Sequence, residues 1–327
     1  MRTYVADISL SCGLVLGKSP AVTSLLTETP IWAIFAVQAY KFVLDVIGLV
    51  SYLEHMNMVP SFYVPHPALR NHISHIMVVE AKFDNTILKF SPFPPTPQHA
   101  IHFYPRDPVT AHDRKNRIQK QPASIIVGPQ VSQVNIAMGM HHVIVSVAFM
   151  PGGMHRLLKM PMQELYDESF DATLLLGREI AEVNEQLQEA QTGLEMKTVV
   201  ERFFMYKLDH SSLLPWEHAL KSQLQCNVSI ESAASLACLS LRQYERRTKE
   251  IMGYSPKVFS RLIRFSNAYR LKERQPHLNW TYIAHTCGYF DQMHLIRDFK
   301  EFTGTLPGAL AKQINNAPAL LQDHLRI

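Results

Sequence analysis

Cysteine is scarce in this 327-residue chain and poorly placed for a structural role: the four occur at positions 12, 226, 238 and 287, with no CxxC pair. That spacing excludes a zinc knuckle and a secreted disulfide framework, and fits a reducing cytosol. Low-complexity blocks are absent. An uninterrupted membrane-spanning run of roughly 18 to 20 apolar residues is also missing, because the stretch Ile31 to Val50 is broken by Gln38, Lys41 and Asp45. This stretch begins late and has no basic lead segment, so it does not read as a secretory signal. It reads as an amphipathic or buried helix. Residues 1–57 are then either a helical extension or lie upstream of a true start at Met56 or Met58.

Metal-binding patterns are equally thin. The chain has 16 histidines, but HxH does not occur. His99 and His102 stand three apart and His141 and His142 are adjacent, which on a strand points the latter two to opposite faces. The expectation is no metal and no cofactor. Net charge is small as well, at +4, but it is unevenly spread. From Cys226 onward there are 14 Lys and Arg against 8 Asp and Glu, a local charge of +6 that leaves the first 225 residues at −2. A basic end on a mildly acidic body fits a nucleic-acid-binding module joined to something else.

The length allows two domains. From Val59 to about Phe149 prolines separate short β-prone runs: Ile73–Val79, Ile87–Phe90, Ala100–Tyr104, Ser124–Val127 and Val143–Phe149. This spacing predicts a small β barrel or sandwich. Gly152 and Gly153 permit a sharp exit into helical segments at Met154–Leu158, Pro161–Leu165 and Ala172–Ala190, the last with Leu174, Ile180, Val183 and Leu187 at helical spacing. Further helices are expected from Met196 to about Leu208 and from Pro215 through Leu224. They form either a linker with a dimer contact or a layer packed on the β domain.

The C-terminal third carries a repeat. Ser229 caps a helix through Leu236 whose Ile230, Ala233 and Ala234 face inward, and after a turn at Cys238 and Leu239, Ser240 caps a helix Leu241–Ile251. On the second helix Tyr244, Thr248 and Ile251 share one side, while Arg242, Glu245, Arg246 and Lys249 fall on the other. Gly253 ends it, and Ser255-Pro256 opens a spacer helix to about Leu271. Asn279 then caps a helix with Trp280, Ile283 and Ala284, Gly288 and Tyr289 turn the chain, and a helix Asp291–Phe302 presents Leu295, Phe299 and Phe302 to a core. Ala234 matches Ala284 at an offset of 50, and Arg246 matches Arg297 at 51, so the second turn is one residue longer. Two outward helices on a spacer can read adjacent major-groove segments about 34 Å apart.

The stretches LSLRQYERRTKEIMGYSP (Leu239–Pro256) and IAHTCGYFDQMHLIRDFKEFTGTLP (Ile283–Pro307) resemble the DNA-binding domain of the AraC/XylS family of bacterial transcription regulators. Departures are Phe290 where a small capping residue is common, Cys238 in place of a turn glycine and Thr248 in place of an aromatic residue. PASIIVGPQ (Pro122–Gln130) and VAFMPGGMHRLLKMPMQEL (Val147–Leu165) are similar to a β-barrel-like N-terminal domain of unknown function in some such regulators. The resemblance implies base reading by Arg242, Glu245 and Arg246 in the first unit and by Gln292, His294 and Arg297 in the second. Met293 and Ile296 are then available to thymine methyls, and Lys249 and Lys300 to phosphates. Salt bridges to Glu245, Glu250, Asp298 and Glu301 are the competing role for Arg246 and Arg297.

The expected fold class is α+β: a small N-terminal β barrel or sandwich with flanking helices, joined to an all-α domain of two helix-turn-helix units on a long helix. The domains fall at 58–190 (β-rich, sensing or self-associating), 191–225 (helical linker), 226–312 (DNA-binding) and 313–327 (tail). The resemblance implies a cytoplasmic bacterial regulator rather than an enzyme. Double-stranded DNA is its partner, with RNA polymerase if it activates. A small-molecule effector and a homodimer are both compatible, and no membrane is involved. Two other classes remain open: a metal-dependent barrel enzyme with a basic appendage, and an architectural or adaptor protein that uses helix-turn-helix folds for protein contacts.

The second unit, with its aromatic core and fuller signature, is expected to be the more regular scaffold. The first is expected to carry much of the charge and to be less rigidly held.

Overall fold

Strand formation begins where β-branched residues alternate along the chain. In a computed structural model, which describes residues 58–83, 90–208, 215–226 and 228–310, the N-terminal part contains ten strands. They are β1 (Met58–Tyr63), β2 (Ile73–Lys82), β3 (Ser91–Phe93), β4 (Ala100–Phe103), β5 (Thr110–His112), β6 (Ile118–Lys120), β7 (Ser124–Val127), β8 (Val134–Ala137), β9 (His141–Phe149) and β10 (Ser169–Asp171). They build two antiparallel sheets, in the orders β1-β2-β9-β4-β7-β10 and β3-β8-β5-β6. Of the two expected architectures, the closed barrel is not formed among the described residues.

Side-chain alternation sorts the large sheet into two faces. Val143, Val145, Val147 and Phe149 of β9, Ile101 and Phe103 of β4 and Ile126 of β7 enter the main core. Ile125 and Ile144, one residue out of phase, join Tyr104, Val109 and Ile136 on the opposite side, toward the small sheet.

Helices cover the main-core face. After β9 come α1 (Gly153–Leu158), a 3-10 turn at Met162–Leu165, α2 (Ala172–Leu176), α3 (Arg178–Glu189) and α4 (Gly193–Lys207). The helix expected over 172–190 is two helices, because Gly177 takes φ +68° and ψ −147° between them. Leu174, placed by sequence periodicity on the apolar face, is 83% exposed, while Ile180, Val183 and Leu187 are buried. Thr192 starts α4 through a capping box with Glu195.

α5 (Pro215–Cys226) belongs to a different core, contributing Ala219, Leu220 and Leu224 to the helical C-terminal module. The segment read as a linker is therefore shared between the two cores. The expected strand at Ile87–Phe90 and helix end at Asp209–Ser212, together with residues 1–57 and 313–327, lie wholly or mostly outside the described residues. Of that strand only Phe90 is described, and it is not in a strand. No helix among the described residues is long and apolar enough to cross a membrane.

Candidate nucleic-acid interface

Each C-terminal unit is set by a matched pair of caps. The first comprises α6 (Ile230–Leu236) and α7 (Leu241–Met252); α8 (Pro256–Arg274) follows; the second comprises α9 (Trp280–Thr286) and α10 (Gln292–Thr303). Ser229 and Asn279 accept from the third amide of α6 and α9, and Ser240 and Asp291 do the same for α7 and α10. Gly253 and Gly304 close α7 and α10 in left-handed geometry, at φ +76° and +75°. The repeat noticed in the residues thus extends to both ends of both helix pairs.

Cys238, at φ +54°, occupies the left-handed turn position that Gly288 fills in the second unit at φ +76°. The extra residue of the second turn is Phe290, which is 86% exposed and packs edge-on against His294 at 5.9 Å.

The inward sides differ in chemistry. α10 brings Phe299 and Phe302 against Phe265 of α8, with ring centroids 4.8 and 5.2 Å apart, and Trp280 stacks edge-on with Phe299 at 5.1 Å. α7 instead buries Tyr244, whose hydroxyl donates to Gln223 Oε1 at 2.8 Å. The Gln223 amide in turn donates to Ser260 Oγ and the Pro256 carbonyl at 2.7 and 3.2 Å. Burial pushes the Tyr244 hydroxyl up to about 12, so it acts as a neutral donor.

The outward sides carry the sequence candidates. Arg242, Glu245, Arg246 and Lys249 are all exposed on α7; on α10 Gln292, Met293, His294, Arg297 and Lys300 are exposed and Ile296 is half-buried. Three of the four carboxylates that compete for the arginines are engaged elsewhere. Glu250 pairs with Arg247 at 3.0 Å, while Asp298 and Glu301 both pair with Arg261 of α8. Burial nonetheless pushes the Asp298 carboxyl up against the pull of Arg261, whereas Arg261 holds Glu301 down. No ion pair of Arg246 or Arg297 is found among the described residues.

Two second-unit candidates are positioned by neighbours. Gln292 Oε1 accepts from Thr281 Oγ1 at 2.9 Å, which leaves its amide NH₂ to face outward. His294 Nδ1 lies 2.8 Å from the Asp291 carboxylate, which is held below its usual range mainly by the His294 backbone N–H. Asp291 therefore both caps α10 and orients its first outward ring. Between α6, α8 and α10 runs a groove of about 710 Å³ onto which Lys257, Arg264 and Arg297 open. Lys257 and Arg264 were not singled out from the sequence, since a cation on a spacer helix carries no pattern of its own.

A second feature had no sequence signal either. Between the two sheets lies a cavity of about 180 Å³ floored by Phe93, Val109, Ile125, Val134 and Ile136. His102, Tyr104, Gln130 and Gln133 supply polar groups, and Arg114, Lys115, Arg117, Asp113 and Glu168 stand at its edge. The Lys115 and Arg117 charges are balanced by Glu168 and Asp113. The histidines considered for a metal go separate ways: His99 donates to the Met252 carbonyl, His102 faces Phe93, His141 contacts Glu80 and His142 packs near Tyr104. Among the described residues no three His, Cys, Asp or Glu side chains form a metal-sized group.

Two capped helix-turn-helix units on one spacer, with exposed cationic side chains on both outward helices, define the class of a DNA-binding transcription regulator. Residues 233–313 match the family described as helix-turn-helix domain, and residues 61–171 match a domain of unknown function. The chain carries a helix-turn-helix domain behind that uncharacterised one. No curated protein matches it.

Among solved structures, it is similar to ToxT from Vibrio cholerae O395, with 12% identity over 80% of this chain and 99% of that one and a TM-score of 0.39. For ToxT of Vibrio cholerae strain SCE256 bound to an unsaturated fatty acid the values are 13%, 75%, 97% and 0.40. For the AraC-like transcriptional activator CuxR they are 13%, 65%, 88% and 0.24. Superpositions this partial add nothing to the assignment, which rests on the domain match and the geometry.

Proposed function

We propose that this chain is a sequence-specific transcription regulator that reads two adjacent major-groove segments with α7 and α10. Arg242, Glu245, Arg246, Gln292, His294 and Arg297 contact base edges, Met293 and Ile296 contact thymine methyls, and Lys249 and Lys300 hold phosphates. The observation that carries this reading is the release of Arg246 and Arg297: equivalent in the repeat, both exposed, both left free of the neighbouring carboxylates. An adaptor that used these folds for protein contacts would not need matched unpaired cations on both helices.

The test is a fluorescence-anisotropy titration of the full chain against a duplex selected from random DNA. Arg246→Ala and Arg297→Ala should each cost about 1–3 kcal/mol and relax the preference at one position. Unchanged affinity and preference would remove both from the base-reading set.

The remaining architecture is proposed with it: a sensing or self-associating domain over 58–190, a helical connection over 191–225 and the DNA-binding domain over 226–312. The protein is a non-enzymatic cytoplasmic bacterial regulator that works with RNA polymerase where it activates, and a homodimer forms through the N-terminal half. The inter-sheet cavity is the place for a small-molecule effector, as its apolar floor and ring of hydrogen-bonding groups suit a small amphipathic molecule.

A further inference from the structure

The two reading helices are joined covalently through α8, yet both are also gripped at their C-terminal ends by the domain of unknown function. At the end of α7, His99 Nε2 donates to the Met252 carbonyl at 3.2 Å and the Tyr254 hydroxyl donates to the Pro97 carbonyl at 3.0 Å. Gly253 sits so close to the Pro129 ring that a Cβ there would overlap it. At the end of α10, the Gln133 backbone N–H donates to the Phe302 carbonyl and Arg114 donates to the Glu301 carbonyl, each at 2.9 Å.

One short segment serves both ends. Pro129 abuts the close of α7, Val131 packs on the helical core, and Gln133 bonds the close of α10. That segment is itself pinned. The Asp167 carboxylate accepts from the Val131 and Ser132 amides at 2.9 Å each and from Ser132 Oγ at 2.7 Å, while the Asp167 N–H donates to the Pro129 carbonyl at 3.0 Å.

We infer that the N-terminal domain acts as a brace: through residues 129–133 it fixes the distance and angle between α7 and α10, and so sets the half-site spacing the protein accepts. The inference rests on the DNA-reading assignment above and needs no ligand. Two helices held as one rigid body match only one phase of the double helix. A single inserted base pair moves the second half-site by about 3.4 Å and turns it by roughly a tenth of a revolution, which takes base edges out of reach of fixed side chains. Two units joined by α8 alone can rock to follow it.

The test measures anisotropy of fluorescein-labelled duplexes with the full chain and its Arg114→Ala/Asp167→Ala variant. The duplexes are a selected composite site, the same site with one base pair inserted or removed between its halves, and each half alone. Folding of the variant is followed by thermal melting, and Arg114→Gln alone, a surface change, serves as a second variant. The parent protein should lose at least about tenfold on the altered spacings. The double variant should bind each half as the parent does but lose less than about threefold, with Arg114→Gln between the two. A spacing penalty equal in all three proteins, or absent in the parent, overturns the brace. Failure to bind any duplex overturns the DNA-reading assignment and the brace with it, which is distinguishable from binding that ignores spacing.

Discussion

Acid should loosen this protein well above the pH at which carboxylates begin to titrate. His99, His102 and His142 are buried in the N-terminal domain, and loss of hydration pushes each down to about 4 from 6.5. For His99 the Met252 carbonyl opposes the shift, and for His142 the Asp107 charge does. Because these folded-state values lie below the unfolded one, the unfolded chain binds more protons between pH 4 and 6.5. The associated stability is present above about pH 6.5 and is lost as the pH falls through that window.

At pH 5.5 the unfolded state gains about a factor of ten in proton binding per histidine while the folded state gains almost nothing. That difference is roughly 1.3–1.4 kcal/mol each and about 4 kcal/mol for the three. For a body of this size the melting temperature should drop by about 8–16 °C between pH 7.5 and 5.5. Differential scanning calorimetry across that range reads it. His102→Leu should recover about a third of the drop, and adding His142→Leu about two thirds, since each removes one titrating group while leaving an apolar side chain in its place. A flat profile in the parent, or the same slope in the double variant, would refute burial as the cause.

Cys238→Gly should raise stability by about 0.5–1 kcal/mol in a thermal melt, because Cys238 is held at φ +54° where the second unit places glycine. The two C-cap glycines should separate sharply although their φ values nearly coincide: Gly304→Ala faces open space and should cost about 1 kcal/mol, while Gly253→Ala also meets Pro129 and the Met162 carbonyl and should cost at least about 3 kcal/mol by urea denaturation. Equal losses would show that the docking of α7 on the N-terminal domain is loose. Arg156 of α1 and Glu217 of α5 form a contact at 2.6 Å with side chains 10% and 2% exposed. Arg156→Ala should therefore cost about 3–5 kcal/mol, and Arg156→Met with Glu217→Leu much less in a double-mutant cycle.

The C-terminal half was legible because helix starts are written in single residues. Ser229, Ser240, Asn279 and Asp291 accept the amide bonds their types suggest, and apolar residues recur on one side of every following helix. Strands β2, β7 and β9 were legible through their Ile and Val, and β4 through Ile101 and Phe103; the four pair in one sheet. The small sheet was not. Its strands are three or four residues long, β5 is half-buried throughout and β6 exposed throughout, so neither shows a period of two. The cavity has no signal in the sequence because its polar groups come from separate segments that only the fold brings together. Gly253 looked like a plain helix terminator, and its contact with Pro129, 124 positions earlier, has no local signature.

The inequality of the two units takes a different form from the one the sequence suggests. The second has the aromatic core, in which edge contacts link Trp280 to Phe299 and both Phe299 and Phe302 to Phe265 of the spacer helix. The first has Thr248 and Ile251 where the second has Phe299 and Phe302, so its own helices bring smaller side chains to the core. Its support comes from outside: the Gln223 amide of α5 ties Tyr244 to the start of α8, and Pro97, His99 and Pro129 of the sheet domain hold the turn after α7. The arginine-rich helix is thus the one whose position depends more on the N-terminal half. A change in that half would reach α7 first, and α10 chiefly through Arg114 and Gln133.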